Sequence, residues 1–523
     1  MAANHSGIVE LRNNGGTPAI PTAAVDLPLA IAAMHVNPES PVPLYEQICT
    51  ALRNAIVAGD LPSGTAIPTS RELAAAMRVG RNTVVTAYSR LVAEGYLVSN
   101  RRRGTHVTKD LVGAQIFGTD SRRGGDNDRD SVSSGKIEIS FRAQQALSEP
   151  CASGSPGGPF ALHAPDPSLF PRNQLGRLLN EEFSRSPGAD GNQACRRFQT
   201  ALSVYLRLKR GVCCEPSQII PVTGIECALD LTARVMLDPG HCALVEDPAL
   251  PAARRAFAMA GARVIALPSD TSGADPSRVC APPPRLIFVS PSVSFPIGRQ
   301  MIEERRLALL EFARVSGSII FEADSYWELS YQNERLRALQ GRDRFGQVIY
   351  FSGMTETLGP FIRAAYLVVP PDLVEPFWET AKRVGYGPDA FVLAAIARYL
   401  EDSQYAVHVR AIRALYAQRM IAFVQALRSH LRGATVLEPS GGVHVTLLLP
   451  ERTDELAISR LAAAHGIAVA PLSSFYQAKP QSKGIVLGFG LIAERNIDLL
   501  VRRFCELLDN SDEIRPMAEL ARA

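Results

Sequence analysis

Apolar residues in the first hundred positions form three helical stripes and one extended pair. Leu44, Ile48, Leu52, Ala55 and Ile56 share one side of a helix over residues 44–58, which Gly59 and Pro62 bring to an end. Thr69 precedes Ser70-Arg71-Glu72-Leu73, and Glu72 three residues on completes a capping-box pattern, so a short helix is predicted over Ser70–Met77. Arg81-Asn82-Thr83 open a third helix with Val84, Val85, Tyr88, Leu91 and Val92 as its expected apolar side, closed by Gly95. Tyr96-Leu97-Val98 and Thr105-His106-Val107 flank Arg101, Arg102, Arg103 and Gly104, which predicts a β-hairpin with a basic tip. Together these elements predict a winged helix-turn-helix.

From Phe160 onward the pattern changes. Short apolar runs (CALVED, RLIFVS, SIIFEA, VIYFSG) alternate with amphipathic stretches, which predicts an α/β fold with a largely parallel sheet. Between the two patterns lies SRRGGDNDRDSVSSG, too polar to build a core and read as a flexible linker. The expected division is a mobile tail over 1–40, a DNA-binding unit over 41–108, a linker over 109–138, an α/β unit over 139–508 and a C-terminal tail over 509–523.

Composition narrows the class. In 523 residues, 46% hydrophobic and 20% charged content excludes a wholly disordered or fibrous chain. The net charge is only +3, but residues 41–109 carry nine Arg/Lys and four Asp/Glu, hence +5, leaving about −2 for the rest. Nine cysteines are scattered, with only Cys213 and Cys214 adjacent, so neither a disulfide scaffold nor a zinc site is expected. No secretory signal is legible, and the best apolar run, 390–396, is too short for a bilayer. A cytoplasmic protein with reduced thiols, no metal and no membrane association is the expectation.

The local positive charge has a geometry. A helix start presents free N–H groups and a positive dipole to phosphates. Arg71 at one helix start suits phosphate or guanine, while Arg81, Asn82 and Thr83 at the next reach for base edges in the major groove. The arginine-rich wing suits the minor groove or the backbone. Residues 43–97 (PLYEQ to EGYL) and the wing RRRGTHV closely resemble the GntR family of bacterial repressors. The resemblance implies double-stranded DNA as partner, contacted by Arg71, Arg81, Asn82, Thr83 and the wing residues Arg102, Arg103, Gly104 and Thr105.

The larger part resembles a fold-type-I aminotransferase with a smaller C-terminal α+β subdomain. The likeness rests on HAPDPSLFPRNQLGRLL, IIPVTGIECALDLTARVMLDPG, VEDPALPAARRAF, SPSVSFPIGRQM, VIYFSGMTETLGPFIRAAYLVVP, SGGVHV and LGFG. Joined to a GntR-like head, it points to the MocR type of regulator. That resemblance implies a homodimer in which each head is carried by the partner's large domain, and pyridoxal phosphate held by a lysine Schiff base.

The lysine is absent. The family's Ser-Lys-Thr-Leu, followed by Pro and by an Arg seven after the lysine, corresponds to Thr355-Glu356-Thr357-Leu358-Gly359-Pro360 with Arg363. A carboxylate at Glu356 cannot form an imine. The acid expected at the pyridine nitrogen is Ala323, the tyrosine two further is Ser325, the ring-stacking tyrosine is Leu250, and the carboxylate-gripping arginine is Val486. Asp324 is the one neighbouring substitute acid. Thr355, Arg363 and Gly224 remain from the phosphate clamp, although Glu226 near the same helix start adds negative charge. Arg363 is open to two roles, an ion pair with Glu356 or retained anion binding. Lys209, Lys382, Lys479 and Lys483 are expected to be surface amines. The expectation is therefore a DNA-binding regulator, catalytically inactive and without covalent cofactor, whose second part dimerises and senses an effector. The alternatives are a pyridoxal-phosphate-dependent aminotransferase with a regulatory head, and a pocket for another ligand such as pyridoxamine phosphate.

Overall fold

The computed structural model describes residues 36–100, 104–109, 138–140, 142–144, 158–163, 165–185, 191–332, 337–431 and 433–509, with Ile31 and Met34. The chain divides into two compact units, Met1–Lys136 and Ile137–Ala523. Residues 110–137, most of the expected linker, lie outside the described residues, as do 1–30 and 510–523 of the two expected tails.

The first unit is built by local signals. Helix α1 (Leu44–Val57) buries Ile48, Leu52 and Ile56. Helix α2 (Ser70–Met77) starts at a true capping box: Thr69 Oγ1 accepts from Glu72 N at 3.3 Å, and Glu72 Oε2 accepts from Thr69 N at 2.7 Å. Helix α3 (Arg81–Ala93) buries Val84, Ala87, Tyr88 and Leu91. Val85 and Val92, expected on that side, are 41% and 38% exposed. Each sits one residue, about 100° of helical turn, past a buried position. A two-residue strand β1 (Ala66–Ile67) pairs with β3 (Gly104–Val107), which pairs with β2 (Leu97–Asn100), so the predicted hairpin becomes a three-stranded antiparallel sheet. The end of the stretch expected as a tail over 1–40 packs instead into the first unit. Ile31 is buried in the core of this unit, with Met34 and Val36 packed beside it, because these apolar side chains find an apolar surface to cover.

In the second unit, strands β4 (Ile219–Val222), β5 (Cys242–Asp247), β6 (Arg263–Asp270), β7 (Gly273–Ala274), β8 (Leu286–Val289), β9 (Ile319–Ala323), β10 (Val348–Gly353) and β11 (Ala365–Val368) form one sheet. Its order is β4-β11-β10-β9-β8-β5-β6-β7. Strands β6, β5, β8, β9 and β10 run parallel, while β11 is antiparallel to both its neighbours. The apolar runs are near continuous because both faces are covered. Val245, Phe288 and Phe321 enter one core, with Leu229 and Phe257, and Leu244, Ile287 and Ile320 enter another, with Leu309. A second, antiparallel sheet has the order β12 (Thr435–Leu437), β13 (His444–Leu449), β15 (Lys483–Gly488), β14 (Ala470–Pro471). It packs against helices Gln404–His430 and Glu494–Asp509 around Val445, Leu447, Phe423 and Phe504.

A buried acid ties the large sheet together. Asp324, directly after β9, accepts from Arg210 Nε at 2.7 Å and from Tyr350 Oη of β10 at 2.9 Å. Arg210 ends the helix Gly191–Arg210, and its side chain also bonds Ser292 and lies 5.8 Å from the Trp327 ring. Removing one partner of such a pair strands the other charge in a dry interior. Arg210→Ala is expected to cost about 3–5 kcal/mol of unfolding free energy, measured by denaturant titration; a loss below 1 kcal/mol would contradict this role for the pair.

Candidate functional site

In the first unit, two helix starts converge. Arg81 opens α3 and donates from Nε to Ser70 Oγ, the first residue of α2, at 3.4 Å. Arg71, Arg81 and Asn82 are exposed and Thr83 is half-buried. The α3 N-cap is Gly80, which offers no side chain to the free N–H groups of the first turn. Gly104 begins β3 exposed, with φ of 79°, and Thr105 beside it is half-buried. Arg102 and Arg103 lie outside the described residues. The sequence reading missed Arg78, an exposed residue in left-handed conformation (φ 54°) between α2 and α3. Its signal was a basic residue in the turn of a helix-turn-helix.

Charge in this unit is sorted by pairing. Arg53 bonds Glu94 at 2.6 Å, and Arg90 lies 3.1 Å from Glu94 and 3.5 Å from Glu46. Arg71, Arg78 and Arg81 form no ion pair among the described residues. The uncompensated positive charge therefore gathers at the turn and the helix starts, the edge that suits a phosphate backbone.

In the second unit the candidate site lies at the carboxyl ends of the parallel strands, where open α/β sheets place their ligands. Strand β10 ends at Gly353 and leads into the short helix Thr355–Leu358, which carries Thr355 and Glu356. Thr357 fixes this turn: its hydroxyl bonds Tyr405 Oη at 2.9 Å, and its carbonyl oxygen lies 2.7 Å from His408 Nε2. Glu356 Oε2 is shut off from solvent and has no hydrogen-bond partner. Burial, with Glu226 adding to it, pushes the Glu356 carboxyl up to about 7.

Gly224 caps the helix Ile225–Met236, as the sequence suggested. Glu226 does not turn away from it: its Oε2 lies 3.7 Å from where a Cβ on Gly224 would stand. Arg363 is exposed and makes no ion pair with Glu356, so the pairing considered from sequence does not form. The short helix stops at Gly359 (φ 88°), and Arg363 stands exposed between buried Ile362 and Ala364. Asp324, the substitute acid considered beside Ala323, has its Oδ2 held by Arg210 and Tyr350, while its Oδ1 is buried without a hydrogen-bond partner. Leu250 is half-buried at the start of Pro251–Met259, and Val486 is buried within β15.

The lysines stand elsewhere. Lys209, Lys382 and Lys479 are exposed, Lys382 lying 3.4 Å from Glu379. Lys483, expected in a loop, begins β15 and donates to the Thr453 carbonyl at 3.0 Å. Sequence reasoning also missed Tyr326, whose hydroxyl meets His163 Nδ1 at 2.7 Å and whose pKa is raised by burial and then by Glu356. It missed Glu328 as well, a buried acid raised to about 7 by desolvation that accepts from Tyr205 and Tyr405, each at 2.7 Å.

Comparison with known proteins places both units. Residues 44–107 match the bacterial regulatory proteins of the gntR family, and residues 165–484 match aminotransferase class I and II. A probable rhizopine catabolism regulatory protein, MocR, from Rhizobium meliloti is 33% identical, over 86% of this chain and 91% of the relative. The chain belongs to the MocR-type regulators of the GntR family. The pyridoxine biosynthesis transcriptional regulator PdxR of Corynebacterium glutamicum is 28% identical over 89% of this chain and 95% of its own length. Among solved structures, an archaeal alanine:glyoxylate aminotransferase (TM-score 0.63, 24% identity) covers 71% of this chain and 96% of its own. A multiple substrate aminotransferase from Thermococcus profundus gives 0.63 and 23%, over 73% and 97%. These likenesses show the fold-type-I architecture of the second unit. Among the described residues no helix of this regulator is long and apolar enough to cross a membrane, and no cluster of three metal-ligating side chains occurs.

The raised Glu356 pKa has a stability consequence. The folded chain holds this proton up to about pH 7, whereas an unfolded glutamate releases it near 4.5. The group's contribution is thus fully present below 4.5 and is lost as pH rises through 7. Glu246, Glu322 and Glu328, also raised to about 7 by burial, act in the same direction. Glu356→Gln removes one such group, so its melting temperature relative to the parent should rise between pH 5 and pH 8. The difference is worth up to about 3 kcal/mol at 1.36 kcal/mol per pH unit; an unchanged difference across that range would refute the buried proton.

Proposed function

We propose that this MocR-type protein is a sequence-specific DNA-binding transcriptional regulator whose aminotransferase-like unit works without covalent pyridoxal phosphate, as a dimerisation and effector-sensing module. The observation that carries this reading is Glu356, a half-buried glutamate with Oε2 shut off from solvent on the short helix after β10, where the family's imine-forming amine belongs.

Pyridoxal phosphate does not fit the residues present. Its aldehyde would meet a carboxyl, its ring nitrogen would meet Ala323, and its phosphate would approach a helix start beside the Glu226 carboxylate. Exposed Arg363 and the N-terminus at Gly224 are the surviving anion-binding features. Among the described residues of the second unit no lysine offers a catalytic amine: Lys209, Lys382 and Lys479 are exposed, and Lys483 is hydrogen-bonded at a strand start. Arginine does not substitute, since it stays charged under all working conditions.

On DNA, Arg81, Asn82 and Thr83 read base edges in the major groove, Arg71 and Arg78 hold phosphates, and the wing residues Arg102, Arg103, Gly104 and Thr105 follow the adjacent backbone or minor groove. Two such heads in a homodimer bind repeated half-sites.

Two measurements test the reading. Arg81→Ala is expected to cost about 1–3 kcal/mol in specific binding and to relax base choice at one position, read by gel shift on a selected operator; undiminished specific binding would remove Arg81 from the contact set. Incubation with one equivalent of pyridoxal phosphate followed by borohydride should give only weak, non-selective labelling of the exposed amines. A stoichiometric adduct on a single lysine would overturn the account of a non-covalent module.

A further inference from the structure

A groove of about 430 Å³ lies away from Glu356, at the opposite ends of the strands. It runs where the helix Glu303–Ser316 leads into β9 and where residues 341–347 lead into β10. Leu307, Leu310 and Phe345 give it an apolar lining, and Arg337, Arg342 and Arg344 a basic one.

Two of the apolar side chains face solvent. Leu307 is 53% and Phe345 67% exposed, and Val315, further along the same helix, is 72% exposed. Single exposed apolar residues are ordinary, but a cluster of them beside a groove marks a surface that another molecule covers. Phe345 is not on a loose loop. Asp343 Oδ1 accepts from Phe345 N at 2.9 Å, and its Oδ2 accepts from Val348 N at 2.9 Å. Gln347 Nε2 donates to the carbonyls of Ala313 and Ser318 at 3.0 and 3.3 Å, which ties the turn to the helix end. The Arg314 guanidinium lies 5.9 Å from the Phe345 ring. An aromatic side chain held out in advance loses little freedom when a partner covers it.

Charge selects the occupant. Arg342 is paired with Glu303 at 2.5 Å, and Glu311 with Arg314 at 2.7 Å. The carboxylate of Asp343 is satisfied by backbone N–H groups. Arg337 and Arg344 are exposed and form no ion pair among the described residues. The groove therefore combines an apolar floor with two guanidiniums that lack a carboxylate. Phosphates of a nucleic acid would meet these arginines but would leave Leu307, Leu310 and Phe345 without an apolar partner, and would approach the acids Glu311 and Asp343. A polypeptide that carries carboxylates and bulky apolar side chains matches both parts of the lining.

We infer that this groove docks an acidic segment of a partner protein, its carboxylates meeting Arg337 and Arg344 and a bulky apolar side chain packing between Leu307, Leu310 and Phe345. The groove is separate from the strand ends that carry Glu356, so this docking does not depend on whether the second unit holds a cofactor.

The test uses the full chain and the fluorescence anisotropy of the labelled peptides EEFLEELF, KKFLKKLF and EESSEESS. Saturable binding of EEFLEELF alone is expected. Arg344→Glu and Leu307→Ser should each weaken it about tenfold or more. Both side chains are exposed, so the melting temperature should stay at the parent's value. Arg344→Glu should also bind KKFLKKLF better than the parent does, a reversal that a loss of folding could not produce. No saturable binding, equal binding of all the peptides, or unchanged binding by Arg344→Glu and Leu307→Ser would each overturn the site. Displacement of EEFLEELF by duplex DNA of random sequence would overturn it in favour of nucleic acid, and a fall in oligomeric mass on Leu307→Ser would overturn it in favour of a second copy of this chain.

Discussion

The second unit depends on one buried ion pair. Arg210 and Asp324 meet at 2.7 Å with side chains 5% and 0% exposed. Desolvating two charges is costly, and hydrogen bonds around the pair offset part of that cost, while Asp324 Oδ1 has no hydrogen-bond partner. Tyr350 donates to the same Asp324 oxygen, Ser352 Oγ donates to the Asp324 carbonyl at 3.0 Å, and Trp327 Nε1 donates to Ser352 Oγ at 3.2 Å. A helix end and the carboxyl ends of β9 and β10 are thereby held to one geometry. The turn bearing Glu356 follows from that edge, so the position of the unpaired acid is inherited from the paired one.

The same frame explains what a sequence can and cannot announce. In the first unit, helix starts, stops and the hairpin were legible because each is written in neighbouring residues: the Thr69–Glu72 box, the Gly59 and Gly95 stops, the alternation around Leu97 and Val107. What escaped was non-local. Strand β1 is only two residues long and exists because β3 offers it an edge, and Ile31 is buried by a surface far along the chain. In the second unit the strands showed as apolar runs, but their order did not, since β11 inserts antiparallel between β4 and β10.

The site residues divide in the same way. The identity of Glu356, Ala323 and Gly224 could be read in register with the family pattern. The fate of their side chains could not. Arg363 follows Glu356 by seven positions and shared a pattern with it, yet a four-residue helix ending in Gly359 and Pro360 sends the two apart. Asp324 sits beside the vacant acid position and was free to substitute on paper, but a long-range arginine claims it. For Asp324 the deciding partner lies outside the motif.

Charge economy separates the two units. In the first, Arg53 and Arg90 are spent on Glu94 and Glu46, and Arg71, Arg78 and Arg81, which form no ion pair among the described residues, mark a face that suits a polyanion. In the second, the unbalanced group is an acid, and it is buried. An apolar side chain at position 356 would fit an interior already lined by Leu358, Phe170 and Ile412 at lower cost than a carboxyl whose Oε2 has no hydrogen-bond partner. The clamp of Thr357 on Tyr405 and His408 therefore holds in place a carboxyl that packing alone would not select.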